Sequence, residues 1–185
     1  GISETHFIRE CGATFKQASK FVNWIKAQND VYYHPFTEPQ GFNRIDPAPY
    51  WQSSVESAGS FSAAVSFQHY LCEHGLAPKT IANKEFEVIA NYGYHLDAAK
   101  FITLLREHCV NQLGVEHICD TVEQVKQNDK GDIIALQTKQ HGEQQADLFV
   151  DCSGMRSLLL ADTLKVPFVP CDHVFLADTA LATQV

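Results

Sequence analysis

Apolar residues at Ile8, Cys11, Phe15, Ala18, Val22 and Ile25 follow one another at alternating steps of three and four. That spacing predicts one buried helix face over residues 4–27, with Ser3 or Thr5 as N-cap. From 29 to 49 the period disappears, and Tyr32, Tyr33, His34, Phe36 and Phe42 mix with Pro35, Pro39, Gly41, Pro47 and Pro49. Irregular backbone carrying large side chains is where binding surfaces are often built. A second helix is predicted over 60–73, stopped by Gly75 and Pro78. Residues 92–96 read as a short strand. Asp97 then stands as N-cap of a third helix, which carries Phe101, Leu104, Leu105 and Cys109 and ends at Gly114. Strands are predicted at 115–119, 121–126, 133–138 and 147–151, with turns at 128–131 and 141–142. A short helix over 155–164 and a last strand over 174–185 complete the pattern. Helices followed by strands indicate a mixed α/β (α+β) layer structure, here one domain over 1–185, and not a bundle or sandwich.

Composition narrows this picture. The 185 residues are 45% hydrophobic and 19% charged, inside the globular range, so wholesale disorder and a coiled-coil rod are excluded. A chain of this length buries roughly two-thirds of its unfolded surface, enough for a core without metal or disulfide staples. Fourteen Lys+Arg against 22 Asp+Glu give a net charge of -8, which argues against a nucleic-acid or anionic-membrane surface. No run approaches the ~20 apolar residues of a membrane helix. The six cysteines are scattered and never form C-x-x-C, so reduced thiols and a cytoplasmic setting are expected. The chain starts Gly1-Ile2, its only Met is Met155, and it stops at Val185 in an apolar run. A piece of a longer protein is the expectation.

Four places carry candidate chemistry. Residues 146–154 read as an apolar strand emptying into Asp151-Cys152-Ser153-Gly154 and then a helix, a junction where α/β sheets collect anionic ligands or where a buried strand simply turns. No two glycines fall two apart, so the G-x-G-x-x-G fingerprint is absent. Lys16 lies off the apolar stripe, and a solvated lysine is the ordinary outcome. Phe21 and Trp24 widen the apolar surface around it, which would desolvate the amine and make it chemically useful. His34 and Phe36 place an imidazole beside an aromatic wall, which suits a flat ligand and equally suits a packed loop. His69, Cys72 and His74 invite a metal, but on a helix the two histidines stand about 140° apart and no second ligand pair matches them. No metal is expected, and no G-x-S-x-G elbow is present.

Taken together, these stretches resemble the flavin-dependent tryptophan halogenases. The likeness rests on Gly12 to Trp24 with its F-K…K-F-V-N-W pattern, on Tyr33-His34-Pro35-Phe36, and on Tyr94-His95-Leu96-Asp97-Ala98-Ala99-Lys100-Phe101. It continues in A-D-L-F-V-D-C-S-G-M-R-S-L-L-L from Ala146 and in the closing Leu176 to Ala182. The resemblance implies a fragment of an FAD-dependent monooxygenase-like fold. It implies that reduced FAD from a separate flavin reductase, O₂ and chloride or bromide yield hypohalous acid, which travels to a substrate chamber. There Lys16 would hydrogen-bond that acid or form a haloamine, presenting electrophilic halogen to an indole carbon. Phe36 would stack on tryptophan or a related indole with His34 beside it. Asp151, Ser153 and Gly154 match part of the FAD-binding half, and Val122 lies where such folds approach the adenine.

The family's glycine-rich cofactor loop, its tryptophan-rich signature and its catalytic glutamate find no match in these 185 residues, so this piece alone is expected to be inactive. A relative acting on another aromatic, or hydroxylating it, is the alternative enzyme. A non-catalytic binding or scaffold domain is the alternative of a different class.

Overall fold

The computed structural model describes residues 1–24, 30–175, 177 and 179–181. They divide into two compact units, Gly1–Val115 and Glu116–Val185.

In the first unit, α1 (Glu4–Glu10) starts at Ser3, whose hydroxyl accepts from His6 N at 3.2 Å. It lasts seven residues instead of the predicted twenty-four. Gly12 turns the chain into the left-handed region at φ +56, and the backbone then runs extended as β1 (Thr14–Lys16) and β2 (Ala18–Val22). The three-and-four spacing imitated a helix here, but both strands are held by distant partners. β1 pairs antiparallel with β4 (Gly93–His95), and β2 with β3 (Val31–Pro35). Ladder hydrogen bonds from another part of the chain override a local period. Ile25, the last position of that period, lies outside the described residues.

Four short helices come next: α2 (Ala48–Gln52), α3 (Val55–Ala58), α4 (Phe61–Val65) and α5 (Phe67–Glu73). The predicted single helix over 60–73 is thus two. Ser66 adopts an extended conformation between them and caps α5 through Gln68 N, satisfying a donor the new helix start would otherwise leave free. The third helix, α6 (Ala98–Leu113), is as expected. Asp97 accepts from Ala99 N and Lys100 N at 3.0 and 3.2 Å, and Gly114 at φ +69 ends it. Buried Cys11, Ala13 and Leu104 form the core with Phe7, Ile8, Tyr94 and Phe101 packed against them.

The second unit is a three-stranded antiparallel meander, β5 (Val122–Gln127), β6 (Ile133–Thr138) and β7 (Gly142–Gln145). β6 fills its predicted span. β7 occupies residues with no apolar alternation, whereas the predicted strand over 147–151 is irregular, as is 115–119. Neither apolar run finds a ladder partner among the described residues, and a strand without one leaves its amides unpaired. The predicted helix over 155–164 is a 3₁₀ turn, Gly154–Arg156, followed by a π turn, Leu158–Thr163. The last predicted strand falls partly outside the described residues, and its described part is not a strand. Helices and strands are both present as expected, with every described ladder antiparallel. All six cysteines are free, and no described helix is long and apolar enough to cross a membrane.

Candidate functional site

Lys16 is the last residue of β1, and its Cα partner across the ladder is Gly93. The preceding pair, Phe15 and Tyr94, shows how this strand end is held. Phe15 packs edge-on to Tyr92 at 5.1 Å between ring centroids and lies 5.8 Å from Tyr94. Both tyrosine hydroxyls donate to Glu4 Oε1, at 2.8 and 2.6 Å. Glu4 Oε2 accepts from Lys79 Nζ at 2.7 Å and from Phe86 N at 2.9 Å. Burial would raise the Glu4 carboxyl, but the donors from Lys79, Tyr94, Phe86 and Tyr92 outweigh it and bring its pKa down to about 2. Burial first, and then the bond to Glu4, pushes the Tyr94 phenol up, so it stays a donor. A buried, fully ionised carboxylate therefore ties α1 to the back of the strand that presents Lys16.

Phe36 follows β3 directly. Its N donates to Gln17 O at 3.0 Å, and Asn91 Nδ2 donates to its carbonyl at 3.0 Å, so the peptide groups on both sides of its Cα are held. The ring lies beside Gly93 and 5.7 Å from Lys16 Nζ, within reach of a cation–π contact. The structure thus brings Lys16 and Phe36 together from segments that are separate in sequence. Lys16 lines a cavity of about 520 Å³ whose walls include Gln17, Tyr33, Cys72, Leu76 and His95. Tyr33 closes one wall through its hydroxyl, which donates to Glu73 Oε1, and Lys20 Nζ stands 3.3 Å from the same oxygen. Tyr33 first and Lys20 second hold the Glu73 carboxyl below its ordinary range.

His34 goes elsewhere. It is exposed, pairs with Ser19 in the β2–β3 ladder, and lines a second cavity of about 320 Å³ with Pro35, Pro39, Phe42, Phe61 and Val65. Tyr33 borders both cavities. His69 and His74 have partners of their own: Nδ1 of His69 lies 2.8 Å from Ser62 Oγ, and Nδ1 of His74 lies 2.9 Å from Tyr70 O.

The remaining candidates are in the second unit. Val122 is half-buried at the start of β5, opposite Thr138. Asp151 Oδ1 accepts from Ser153 Oγ at 2.6 Å and Ser153 N at 3.1 Å, and its Oδ2 from Leu159 N and Leu160 N at 2.8 and 3.1 Å. Ser153 Oγ in turn accepts from Leu158 N at 2.8 Å. The Ser153 hydroxyl and then these amides hold the Asp151 pKa down to about 2. Gly154, at φ +67 with open space around it, completes the turn. This arrangement does not fit a pyrophosphate cradle, because the chain's own carboxylate occupies amides that an anion would need.

The tryptophan halogenase family matches residues 1–185, and the chain belongs to that family. A tryptophan 6-halogenase from Streptomyces albogriseolus, ThaL, is 32% identical over all of this chain and 37% of its own length. A tryptophan 7-halogenase from Lentzea aerocolonigenes, RebH, is likewise 32% identical, over 37% of its length. The crystal structure of a tryptophan halogenase from Shewanella frigidimarina superposes with a TM-score of 0.85 at 49% identity, covering 94% of this chain and 34% of that one. The chain therefore spans little more than a third of the relatives it matches.

Gln17, Cys72, Leu76 and His95 were not singled out from the sequence as lining residues. Gln17 carried the one available signal, adjacency to Lys16. The others come from α5, the turn after it and β4, and only the tertiary fold brings them there.

Proposed function

We propose that the protein containing these residues halogenates tryptophan or a related indole. The observation that carries this reading is the Lys16 ammonium set over the Phe36 ring at the edge of a walled cavity. Hypohalous acid is indiscriminate in water, so one fixed donor in an enclosed chamber supplies both activation and regiochemistry. Lys16 Nζ donates to the hypohalous acid and keeps its halogen pointed into the cavity. Phe36 offers its face to the indole, and His34 forms part of the neighbouring wall. When bound, reduced FAD supplies the electrons with which O₂ converts chloride or bromide to hypohalous acid. The reduced flavin comes from a separate reductase. Val122, Asp151, Ser153 and Gly154 are the residues of this chain that would touch the cofactor, and the enzyme acts in the cytoplasm.

The test is Lys16→Ala in the full-length protein supplied with reduced FAD, O₂, bromide and tryptophan. Halogenated tryptophan is expected to fall by about 100-fold or more while flavin oxidation continues, a loss typical of removing one transition-state donor. Unchanged product removes Lys16 from its role. If the unsubstituted protein halogenates no indole or phenol, the enzymatic reading itself is lost. The 185-residue chain by itself is expected to bind FAD poorly, and a flavin titration showing tight binding contradicts this.

A further inference from the structure

Eight of the ten glycines turn the chain at positive φ, and Gly93 is not one of them. It opens β4 in ordinary extended backbone, directly across the ladder from Lys16. Glycine weakens a strand, since it loses more freedom on folding than any other residue and packs no side chain against its neighbours. Crowding is no reason for it either. Beyond its chain neighbours, a Cβ at position 93 would meet one atom within 4 Å, Phe36 Cε2 at 3.9 Å, which is ordinary van der Waals contact. A strand glycine that neither backbone conformation nor packing requires marks a place where something else comes close.

The neighbours of that place are the two residues of the proposed chemistry. Residues directly opposite in an antiparallel pair point to the same face, so position 93 and Lys16 share one side of the β1–β4 ribbon. The Phe36 ring stands there too, with its Cε2 edge toward Gly93 and its centroid 5.7 Å from Lys16 Nζ. A substrate ring lying on Phe36 and a halogen held at Lys16 have to meet, and the direction in which the ring advances decides which of its carbons is struck. A side chain at 93 would grow into the ground that Lys16 and Phe36 share. We infer that Gly93 is a specificity-determining residue of this site: its missing side chain keeps open the space into which the edge of the indole advances, and so selects the carbon that reaches Lys16. This inference rests on the halogenase reading.

The experiment uses the full-length protein with reduced FAD, O₂, bromide and tryptophan, and a 1,3-diketone in solution to trap escaping hypobromous acid. Gly93→Val adds a β-branched side chain that suits a strand and fills the space. Bromotryptophan per flavin oxidised is expected to fall about tenfold or more, the scale on which added methylenes act in an apolar pocket. Trapped hypobromous acid rises to match, the isomer ratio of the remaining bromotryptophan shifts, and the melting temperature is no lower than that of the unsubstituted protein. A folded Val variant with an unaltered isomer ratio overturns the inference whatever its yield, because position 93 then does not steer the ring. A shifted ratio accompanied by a lower melting temperature also overturns it, because the glycine then serves the packing of β4.

Where Gly93→Val does not fold or yields no product, Gly93→Ala decides. Its Cβ has room beside Phe36 Cε2, so the variant is expected to fold, to lose less product than Val, and to shift the isomer ratio in the same direction. A folded Ala variant with the unsubstituted protein's ratio then overturns the proposal. Lys16→Ala, run alongside, separates the two levels. If it leaves product unchanged the parent reading fails, whereas the expected Lys16→Ala loss together with an unaltered isomer ratio at position 93 removes Gly93 alone.

Discussion

Two ionised carboxylates, one in each unit, do opposite kinds of work. Glu4 gathers donors from Lys79, Phe86, Tyr92 and Tyr94, which are 75 to 90 residues away along the chain. Asp151 accepts from Ser153, Leu159 and Leu160, none more than nine residues away. The first closes very long loops and is 4% exposed, so its bonds replace water completely. The second closes a turn. The contrast teaches where the fold invests its rigidity: behind the strand that carries Lys16, and much less at the turn proposed as a cofactor contact.

Breaking the long-range centre is the harshest test. Glu4→Ala leaves Lys79 and two tyrosine hydroxyls without their acceptor in a buried setting, and the expected loss of stability is about 3 kcal/mol, the scale for removing one partner of a buried ion pair. Chemical denaturation of the full-length protein reads it. The same substitution loosens Tyr92 and Tyr94 against Phe15, so halogenation is expected to drop with Lys16 still in place. A stability change below about 1 kcal/mol would show that the four donors find water or other partners, as exposed pairs do.

Acid makes the same cut without a mutation. The folded Glu4 pKa of about 2 lies below its ordinary value of 4.5, so the unfolded chain binds the proton first as pH falls. Its contribution is complete above 4.5 and is lost as pH falls toward 2. Stability measured across that window is expected to decline more steeply in the unsubstituted protein than in Glu4→Ala. Parallel curves would mean that Glu4 is not the group being titrated.

The same distinction of span explains what could be read from the chain and what could not. α6 was legible end to end because its determinants are local: Asp97 caps it, its apolar residues recur at helical steps, and Gly114 stops it. β6 was legible because its apolar run lies between two turns with strong turn residues. β1 and β2 were illegible, since Lys16 and Phe15 are extended only because Gly93 and Tyr94 lie opposite. Lys16 is a candidate by motif alone, yet its nearness to Phe36 depends on two ladders meeting at Gln17. The interruption at Ser66 left a weak trace, a capping residue inside an otherwise helical pattern. Glu4 left none: a glutamate in a first helical turn looks like an ordinary solvated residue favoured by the dipole.

If span and not location sets the importance of a carboxylate, a local one in the first unit must behave like a local one in the second. Asp97 provides that control. Asp97→Ala removes a cap whose donors lie two and three residues on, and the expected cost is about 1 kcal/mol, with faster amide exchange at Ala99 and Lys100 and an intact Lys16 cavity. A loss as large as that of Glu4→Ala would tie the difference to the unit instead.

Asp151→Ala is expected to have the smallest effect. Its amides at Ser153, Leu159 and Leu160 turn to water, exchange there quickens, and global unfolding and the Lys16 cavity stay unchanged, because no bond lost in that turn spans more than nine residues. Asp151 is one of the proposed cofactor contacts, so FAD affinity in the full-length protein is expected to fall slightly while folding stays intact. Unchanged FAD affinity, with folding intact, would remove Asp151 from the proposed cofactor contacts and leave it only the closing of its own turn, a bond local in sequence and local in function.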